Sequence, residues 1–223
     1  MSKLRFIVTS GPTREFFDPI RFLSNPSTGK MGFAIASAAV DKGYEVSYIA
    51  GPIAQRYQSV EGALNIKITS TKDMLQAVKE QLTSHSVLIM AAAPADYRPE
   101  FFSEKKIKKR DSSQLKLVPN PDILNSMAAQ RAEKQLANCF LVGFAAETDD
   151  GPAYAQQKLV EKNLDLIFFN DLRNEQSGFG VNTNLLTVFR ADGSSTQWDL
   201  QSKEVLGLKV INEVESFCVP VLP

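Results

Sequence analysis

The sequence predicts an α/β protein built on a doubly wound, mostly parallel, Rossmann-like sheet. Apolar, β-branched segments alternate along the chain with helical segments, which is typical of a parallel sheet covered by helices on both faces. One segment, residues 87–92 (VLIMAA), is apolar without alternation, as expected for a central strand. The length of 223 residues suits one large domain, and we find neither an internal repeat nor a low-complexity linker. We therefore expect a single domain over residues 1–223.

The first half of the chain is predicted to contain strands, a long loop and two helices. The expected strands are rich in apolar and β-branched residues and cover residues 3–10, 45–50, 63–69 and 87–92. A polar loop with three prolines, residues 11–28, follows the first strand. Small residues predict a close-packed helix over 29–42, and Gly43 lies where a C-terminal glycine cap is expected. Thr71 is the predicted N-cap of a second helix that runs to about residue 83.

The second half repeats the alternation and then changes character. Strands are predicted at residues 139–144 and 164–170, and helices at 121–135 and 151–163. Residues 185–190 and 196–200 are predicted to form a C-terminal β-hairpin, spanning about 185–200, and 203–217 a closing helix.

Residues 99–119 do not fit the alternation. They contain a basic run within six positions, made up of Lys105, Lys106, Lys108, Lys109 and Arg110. A loop this long in a compact domain is usually functional, and we expect a basic lid. A solvated basic turn is the other interpretation.

Composition excludes several classes of function. The chain has 25 basic and 25 acidic residues, and this zero net charge disfavours general nucleic-acid binding. A single histidine, His85, excludes histidine-pair metal sites, and the widely separated Cys139 and Cys218 indicate neither zinc nor a disulfide framework. No apolar run approaches the ~20 residues that a membrane helix needs, and the N-terminus has no export signal. We expect a cytoplasmic protein.

The loop after the first strand carries Gly, Ser and Thr and leads into a helix N-terminus. Ligands of open parallel sheets bind beyond the carboxyl ends of the strands, and a helix N-terminus attracts anions. Gly29 and Gly32 are predicted to let a ligand approach the backbone. The segment is not a Walker A loop, because Met31 replaces the Ser/Thr after Gly29-Lys30. A phosphate or another anion is the predicted ligand; a plain long loop is the alternative.

Three further segments could add to this rim. Asp96 follows three alanines at a strand end, and Phe144 lies among small residues at another strand end, where it could stack on a base. Lys158 and Lys162 are spaced i, i+4 and share a helix face, where they repel unless an anion lies between them. Taken alone, each also fits a structural role: a capping carboxylate, a core aromatic and a solvated helix face.

Taken together, the motifs resemble those of one enzyme family. GPTRE, DPIRFLSNPSTGKMG, AAAPADYRP, EKKIKK, PNPDIL, VGFAAET and KLVEKNLDLI occur in the order and spacing of phosphopantothenoylcysteine synthetase. The resemblance covers residues 6–207, nearly the whole chain. The motifs SNPSTGKMG and KIKK resemble those of the bacterial type. Pro94 is a departure that affects the loop before Asp96.

The resemblance implies a ligase of coenzyme A biosynthesis that joins 4′-phosphopantothenate to L-cysteine. In the bacterial, CTP-dependent type the substrate carboxylate attacks the α-phosphate, giving an acyl-cytidylate and pyrophosphate, and the cysteine amine then displaces CMP. Mg²⁺ accompanies the triphosphate, and no protein nucleophile is needed. No side-chain metal ligand is assigned.

The resemblance also implies roles for individual residues. Asn25 matches the asparagine that holds the acyl-nucleotide, Arg21 an arginine of the same site, and Lys106 the lid lysine that helps to form the intermediate. The positions that match nucleotide-binding residues are Asp96, Lys106, Pro121, Asp122, Ile123, Leu124, Phe144, Lys158 and Lys162. Gly11, Ser27 and Gly29 match weaker candidates for phosphate contacts.

The family resemblance further implies a homodimer, with partner contacts from the lid-side strands and the C-terminal hairpin. Because the chain begins at its first strand, we expect a stand-alone synthetase that works with a separate phosphopantothenoylcysteine decarboxylase. Stand-alone relatives of eukaryotes tend to use ATP, which leaves ATP as the alternative to CTP. We expect neither nucleic-acid nor membrane partners.

Two other functions are weighed against this one. An NAD(P)-dependent short-chain dehydrogenase would use Tyr154 and Lys158, which satisfy Y-x-x-x-K, but the glycine pattern of dinucleotide-binding proteins is absent. A basic-loop RNA-binding protein would depend on residues 105–110 alone, without interleaved aromatic residues.

Overall fold

A computed structural model describes residues 4–108, 114–147, 151–171, 173 and 176–218, together with all of their side chains except that of Glu147. Within these residues, eight strands form one sheet in the order β13-β12-β10-β9-β6-β1-β4-β5. The strands of this sheet are β1 Arg5–Ser10, β4 Glu45–Ala50, β5 Leu64–Lys67, β6 Ser86–Met90, β9 Phe140–Glu147, β10 Leu166–Asp171, β12 Leu186–Arg190 and β13 Ser195–Gln197.

The six strands from β5 to β10 are parallel, and only β12 and β13 run antiparallel. The chain leaves β1 for β4 on one side and later returns to β6 on the other side of β1. This reversal is the switch point of a doubly wound sheet, so the predicted α/β class is confirmed. The β12–β13 pair is the predicted C-terminal hairpin, with β13 ending before the buried Trp198.

Helices cover both faces of the sheet. The helices are α1 Lys30–Asp41, α2 Thr71–Gln81, α3 Ile123–Glu133, α4 Gly151–Glu161 and α5 Lys203–Cys218. One apolar cluster joins α1 and α5 to the sheet, and a second joins α2, α3 and α4 to the opposite face. Burying apolar side chains on both faces explains why the central strands are apolar without alternation.

The helix ends follow local chemistry. Gly43 has φ 76° and its N–H donates to the Val40 carbonyl, which confirms the glycine cap after α1. The N-cap of α2 is Ser70, and the prediction of Thr71 is wrong by one residue. Ser70 Oγ accepts from the Asp73 amide, and the Asp73 carboxylate accepts from the Ser70 amide, forming a capping box.

Three small antiparallel pairs lie outside the main sheet and were not predicted. They are β2 Glu15–Phe16 with β3 Phe22–Leu23, β7 Tyr97–Pro99 with β8 Leu117–Pro119, and β11 Thr183–Asn184 with β14 Gln201–Ser202. The β7–β8 pair closes the base of the predicted lid, residues 99–119. Of the lid lysines and arginine, Lys109 and Arg110 lie outside the described residues.

Two glycines set the position of α1. A Cβ on Gly32 would lie 2.6 Å from the Thr9 carbonyl oxygen, and one on Gly207 would lie 2.6 Å from the Ala34 carbonyl oxygen. Their absent side chains let α1 approach both β1 and α5 at backbone distance, which fixes the helix N-terminus at the sheet edge. Among the described helices, none has the length and apolarity needed to cross a membrane.

Candidate functional site

A cavity of about 540 Å³ opens at the carboxyl edge of the sheet, beside the switch point between β1 and β6. Its walls come from the loops after β1, β6 and β10, from the carboxyl-terminal half of β9, from the C-terminal part of α4 and from the N-terminal ends of α1, α3 and α5. This is the position that ligands occupy in open α/β sheets, and the volume is in the range of small-molecule sites.

Most of the sequence-predicted site residues line this cavity. The lining includes Asn25, Ser27, Gly29, Asp96, Pro121, Asp122, Ile123, Leu124, Phe144, Lys158 and Lys162. Four predicted residues do not line it: Gly11, Arg21, Gly32 and Lys106.

Asn25 spans the first two loops of the rim. Its Nδ2 donates to the carbonyl oxygens of Ala93 (3.2 Å) and Pro94 (3.0 Å). Because both amide protons are used, the side-chain oxygen of Asn25 is oriented, and among the described residues it accepts no hydrogen bond. Asn25 therefore offers a fixed acceptor at the cavity wall.

A buried polar network supports the loop that carries Asp96. The Glu15 carboxylate accepts from the Thr71 amide (2.8 Å) and the Thr71 hydroxyl (2.9 Å), and Glu15 is 5% exposed. The Thr71 hydroxyl also contacts that of Thr13 (2.9 Å), which accepts from the Ala95 amide (3.0 Å). The network ties β2, the start of α2 and the loop after β6 together, and it leaves the exposed Asp96 at the rim.

The predicted lysine pair faces the N-terminal end of α3. Lys162 forms an ion pair of 2.8 Å with Asp122, which is also the N-cap of α3. The carboxylate of Asp122 thus offsets part of the repulsion expected between Lys158 and Lys162. The first turn of α3 meets these lysines at one end of the cavity.

Phe144 lies between the core and the cavity. Its ring lies 5.2 Å from that of Phe168, with a tilt of 31°, and packs against the core cluster of α1 and α5. The half-buried side chain also borders the cavity. A core contact on one side leaves ring surface that a planar ligand can cover.

Arg21 and Lys106 lie outside the cavity, on either side of a contact made by Asp18. Asp18 is fully buried, and its carboxylate accepts from the Arg21 guanidinium and from the amides of Ile20, Arg21 and Ile107. Burial favours the neutral acid, but these hydrogen bonds outweigh it and hold the pKa of Asp18 well below its usual range. Arg21 also donates to the Ile107 carbonyl at 2.5 Å. Asp18 and Arg21 thereby fasten the segment next to Lys106, whose own side chain is exposed outside the cavity.

The glycines of the first loop serve packing more than ligand access. Gly11 and Gly29 have φ of 80° and 76°, and a Cβ on either would lie 2.6 Å from Ile53. Gly32 lies where α1 approaches β1 and does not line the cavity, so the predicted ligand approach at Gly32 stays a prediction. Gly29 alone of the three borders the cavity, as the N-cap of α1.

The sequence did not single out the lysines at the other end of the cavity. Lys203, the first residue of α5, is 7% exposed and donates to the carbonyls of Gly178 (2.8 Å) and Val181 (2.9 Å). Lys30, the first residue of α1, donates to Gly180 O (3.0 Å) and Asn182 Oδ1 (2.6 Å). Burial, with a smaller contribution from the Lys30 charge, lowers the pKa of Lys203 to about 8. A lone lysine after a polar hairpin carries no pattern that would have revealed it.

The charged side chains that line the cavity are four lysines and two aspartates, a formal excess of two positive charges. The protein as a whole is neutral, so positive charge is concentrated here. Among the described residues, no group of three His, Cys, Asp or Glu is placed to hold a metal ion. Its excess of positive charge makes the cavity suited to an anionic ligand.

Comparison with known proteins agrees with this description. The profile of the DNA/pantothenate metabolism flavoprotein C-terminal domain matches residues 1–217. The coenzyme A biosynthesis bifunctional protein CoaBC of Vibrio cholerae is 43% identical over 211 residues, which cover 93% of this chain and 51% of that protein. The chain thus spans about half the length of this relative.

Solved structures show the same fold. The crystal structure of the C-terminal domain of a CoaBC protein has a TM-score of 0.77 and 33% identity, and the match covers 96% of this chain and 95% of that one. A Cab2 mutant solved with phosphopantothenate-cysteine has a TM-score of 0.71 at 18% identity, covering 96% of this chain and 87% of that one.

The fold, the cavity motifs and the match over residues 1–217 lead to one conclusion. As the resemblance to phosphopantothenoylcysteine synthetase predicts, the chain belongs to the DNA/pantothenate metabolism flavoprotein C-terminal domain family.

Proposed function

We propose that this protein joins 4′-phosphopantothenate to L-cysteine at the cavity described above, with CTP as the activating nucleotide, in the cytoplasm. The observation that carries the proposal is the convergence of eleven motif residues on one positively charged cavity at the switch point. The CoaBC relatives support the reaction, and the Cab2 complex supports the same fold as a site for phosphopantothenate-cysteine. ATP is the alternative nucleotide.

The proposed chemistry is acyl activation followed by aminolysis. The carboxylate of 4′-phosphopantothenate attacks the α-phosphorus of CTP, and the P–O bond to pyrophosphate breaks. The cysteine amine then attacks the acyl carbon, loses a proton and displaces CMP. Both steps shift negative charge onto phosphate oxygens, which nearby ammonium groups and helix N-termini stabilise.

The residues fit distinct parts of this sequence. Lys158, Lys162 and the first turn of α3 form a cationic wall for the nucleotide, and Phe144 offers a ring for its base. Asn25 presents an oriented oxygen to which the attacking amine can donate. Mg²⁺ would be carried by the triphosphate, screening its charge, since the described side chains form no cluster of metal ligands.

The side chains of Arg21 and Lys106 lie outside the cavity in this structure. For Lys106 to neutralise charge during activation, the segment fastened by Asp18 and Arg21 must bring its side chain to the rim. Lid movement of this kind is part of the proposal.

A coupled assay tests the activity. The protein is incubated with Mg²⁺, 4′-phosphopantothenate, cysteine and either CTP or ATP, while pyrophosphate and nucleoside monophosphate are followed. Absence of product with both nucleotides would refute the proposal. Asn25→Ala should release pyrophosphate yet transfer the acyl group slowly. Asn212→Ala is the matched control, because Asn212 is exposed on α5 outside the cavity. Lys106→Ala should be slow to release pyrophosphate, and Lys116→Ala, in the same segment and paired with Glu100, should not.

The structure does not favour the dehydrogenase alternative. Its Tyr154 hydroxyl would have to meet a substrate beside Lys158. Tyr154 is instead 53% exposed on α4 and does not border the cavity, although Lys158 does. Absence of any NAD(P)H absorbance change when NAD(P) is added to the assay would argue further against a dehydrogenase. Salt-sensitive retention of RNA would support the RNA-binding alternative.

We also propose a homodimer formed through the small hairpins β2–β3 and β7–β8. Large apolar side chains are exposed on and beside them, namely Ile20 (55%), Phe22 (37%), Tyr97 (56%), Phe101 (77%), Phe102 (56%), Leu115 (42%) and Leu117 (43%). Apolar patches of this extent mark interaction surfaces. Light scattering should give a dimer mass that Phe101→Ser reduces, whereas Val160→Ser, at an apolar side chain 72% exposed on α4, should not change it. A separate phosphopantothenoylcysteine decarboxylase, which would consume the product, is the other proposed partner.

A further inference from the structure

The end of the cavity nearest α1 and α5 is built from hydrogen-bond donors. Lys203 is nine-tenths buried, and its ammonium uses two of its three protons on the carbonyls of Gly178 and Val181. The third has no acceptor among the described residues. Neither Lys203 nor Lys30 has a carboxylate within ion-pair distance in the part of the chain that the structure describes.

Asn184 adds a neutral donor to the same wall. It is 4% exposed, and its Oδ1 is oriented by the Gly178 amide (3.0 Å) and contacts Ser177 Oγ (2.7 Å). The Nδ2 group is therefore the free end of the amide, and among the described residues it has no acceptor. Because Asn184 borders the cavity, its Nδ2 group is available to donate to a ligand acceptor there.

The N-terminus of α1 completes the wall. Gly29 supplies no side-chain cap, and no acidic residue lies in the first turn. The free amides and the helix dipole add positive potential beside Lys30. Lys203 is buried without a carboxylate partner among the described residues, and the partly exposed Lys30 lies on the same wall. Burying an uncompensated ammonium group is costly, which indicates that an anion is expected beside it.

We infer that Lys203, Lys30 and Asn184 form a phosphate subsite, at the opposite end of the cavity from Lys158 and Lys162. The inference builds on the proposed function, which brings two phosphorylated substrates to one cavity. The two walls stand on opposite faces of the sheet, one on α1 and α5, the other on α3 and α4. A phosphate monoester or polyphosphate supplies an acceptor for the third Lys203 proton and for the Asn184 amide group, and an anion for both ammonium groups.

Calorimetric titration of three variants tests the subsite. Lys203→Met removes the charge at similar length, and Asn184→Asp replaces the donor by an anionic oxygen of the same shape. Lys209→Met is the control, because Lys209 lies on the same helix with its ammonium 5.0 Å from the Trp198 ring, outside the cavity. Each protein is titrated with CTP and with 4′-phosphopantothenate, and with cytidine and pantothenate as their unphosphorylated counterparts.

We expect Lys203→Met and Asn184→Asp to weaken at least one phosphorylated ligand by about tenfold or more, as for loss of a charge-assisted hydrogen bond. Binding of the unphosphorylated counterparts should stay within about twofold in every variant, a difference below 0.5 kcal/mol on the same scale. A loss confined to the CTP titration assigns the subsite to the nucleotide, and a loss confined to 4′-phosphopantothenate assigns it to the acid.

Two results would overturn the subsite: unchanged affinity for both phosphorylated ligands, or an equal loss for the unphosphorylated ones. Either result would leave the proposed reaction intact if the wild-type protein still forms product. If the wild-type protein binds neither phosphorylated ligand and forms no product, the proposed function fails and the subsite fails with it.

Discussion

Replacing Thr71 by valine tests whether the buried Glu15–Thr71–Thr13 network supports the site. The substitution keeps the shape and removes only the hydroxyl, which contacts Glu15 at 2.9 Å and Thr13 at 2.9 Å. Glu15 keeps its 2.8 Å hydrogen bond from the Thr71 amide, so one of these two donors is lost. Losing one hydrogen bond to a charged group costs about 1.5–3 kcal/mol.

For a chain of this size that cost corresponds to a melting temperature lower by about 3–12 °C. Thr83→Val is the matched control, because Thr83 is exposed just beyond the other end of α2 and its hydroxyl contacts only Ser84 O among the described residues. The control should stay within about 0.5 kcal/mol of the wild type. Differential scanning calorimetry measures both variants, and their KM for CTP reports on the Asp96 loop, which we expect Thr71→Val to loosen.

A double-mutant cycle with Glu15→Gln separates the network from simple loss of a hydroxyl. If the Thr71 hydroxyl and the Glu15 charge interact, the two changes together should cost less than their sum by about 0.5–3 kcal/mol. Additive effects, or a Thr71→Val protein that melts with the Thr83→Val control, would show that the network does not stabilise this region.

Three further predictions concern packing, the lid and pH. Gly32→Ala should destabilise the fold by about 1–3 kcal/mol in calorimetry, because its Cβ meets the Thr9 carbonyl at 2.6 Å, and a variant as stable as wild type would contradict the close approach of α1. Asp18→Asn should slow pyrophosphate release by weakening the hold on Arg21 and Ile107, while amide exchange at Ile107 becomes faster; unchanged exchange would argue against this role. The affinity for phosphorylated ligands should be highest below pH 8 and fall as the pH rises through the Lys203 pKa of about 8. The reason is that the protonated fraction of Lys203 drops from roughly nine tenths at pH 7 to about one tenth at pH 9. The other titratable side chains near Lys203 along the groove between α1 and α5 are Lys30, Asp41, Tyr57 and Glu204. Lys203→Met should remove this pH dependence in the titrations, and its persistence would point to another group.

Patterns of apolar residues were sufficient to predict the main sheet and its helices. Strands buried on both faces are continuous apolar runs, and helices that cross close to them need small residues, so both leave a signal in the sequence. The two-residue strands β2 and β3 leave none, because they lie in a loop of prolines and polar residues and are held by side chains distant in sequence. Asp18, for instance, is fully buried through contacts with Arg21 and Ile107.

The site residues that the motifs predict also fall into two groups, those that line the cavity and those that lie outside it. Asn25, Asp96 and Lys162 belong to motifs whose order resembles one family, and the fold brings them to one cavity. Arg21 and Lys106 belong to the same motifs, yet both lie outside the cavity, where Arg21 donates to the carbonyl of Ile107, the neighbour of Lys106. Order along the chain predicts membership of a site, whereas the distance between a side chain and the cavity depends on loop conformation, which composition does not determine.

The two ends of the cavity differ in how far their positive charge is neutralised by carboxylates. Asp122 pairs with Lys162 and leaves that end of the cavity partly neutralised, while Lys30 and Lys203 face the other end with carbonyl and amide oxygens only. A carbonyl oxygen accepts a hydrogen bond from an ammonium group without cancelling its charge. The second end therefore keeps its full positive charge until a ligand arrives. Among the described residues, the α1 and α5 end has two lysines without a carboxylate partner, whereas the α3 and α4 end has two lysines and the carboxylate of Asp122. This difference in formal charge is a basis for orienting a molecule that carries its phosphate at one end only.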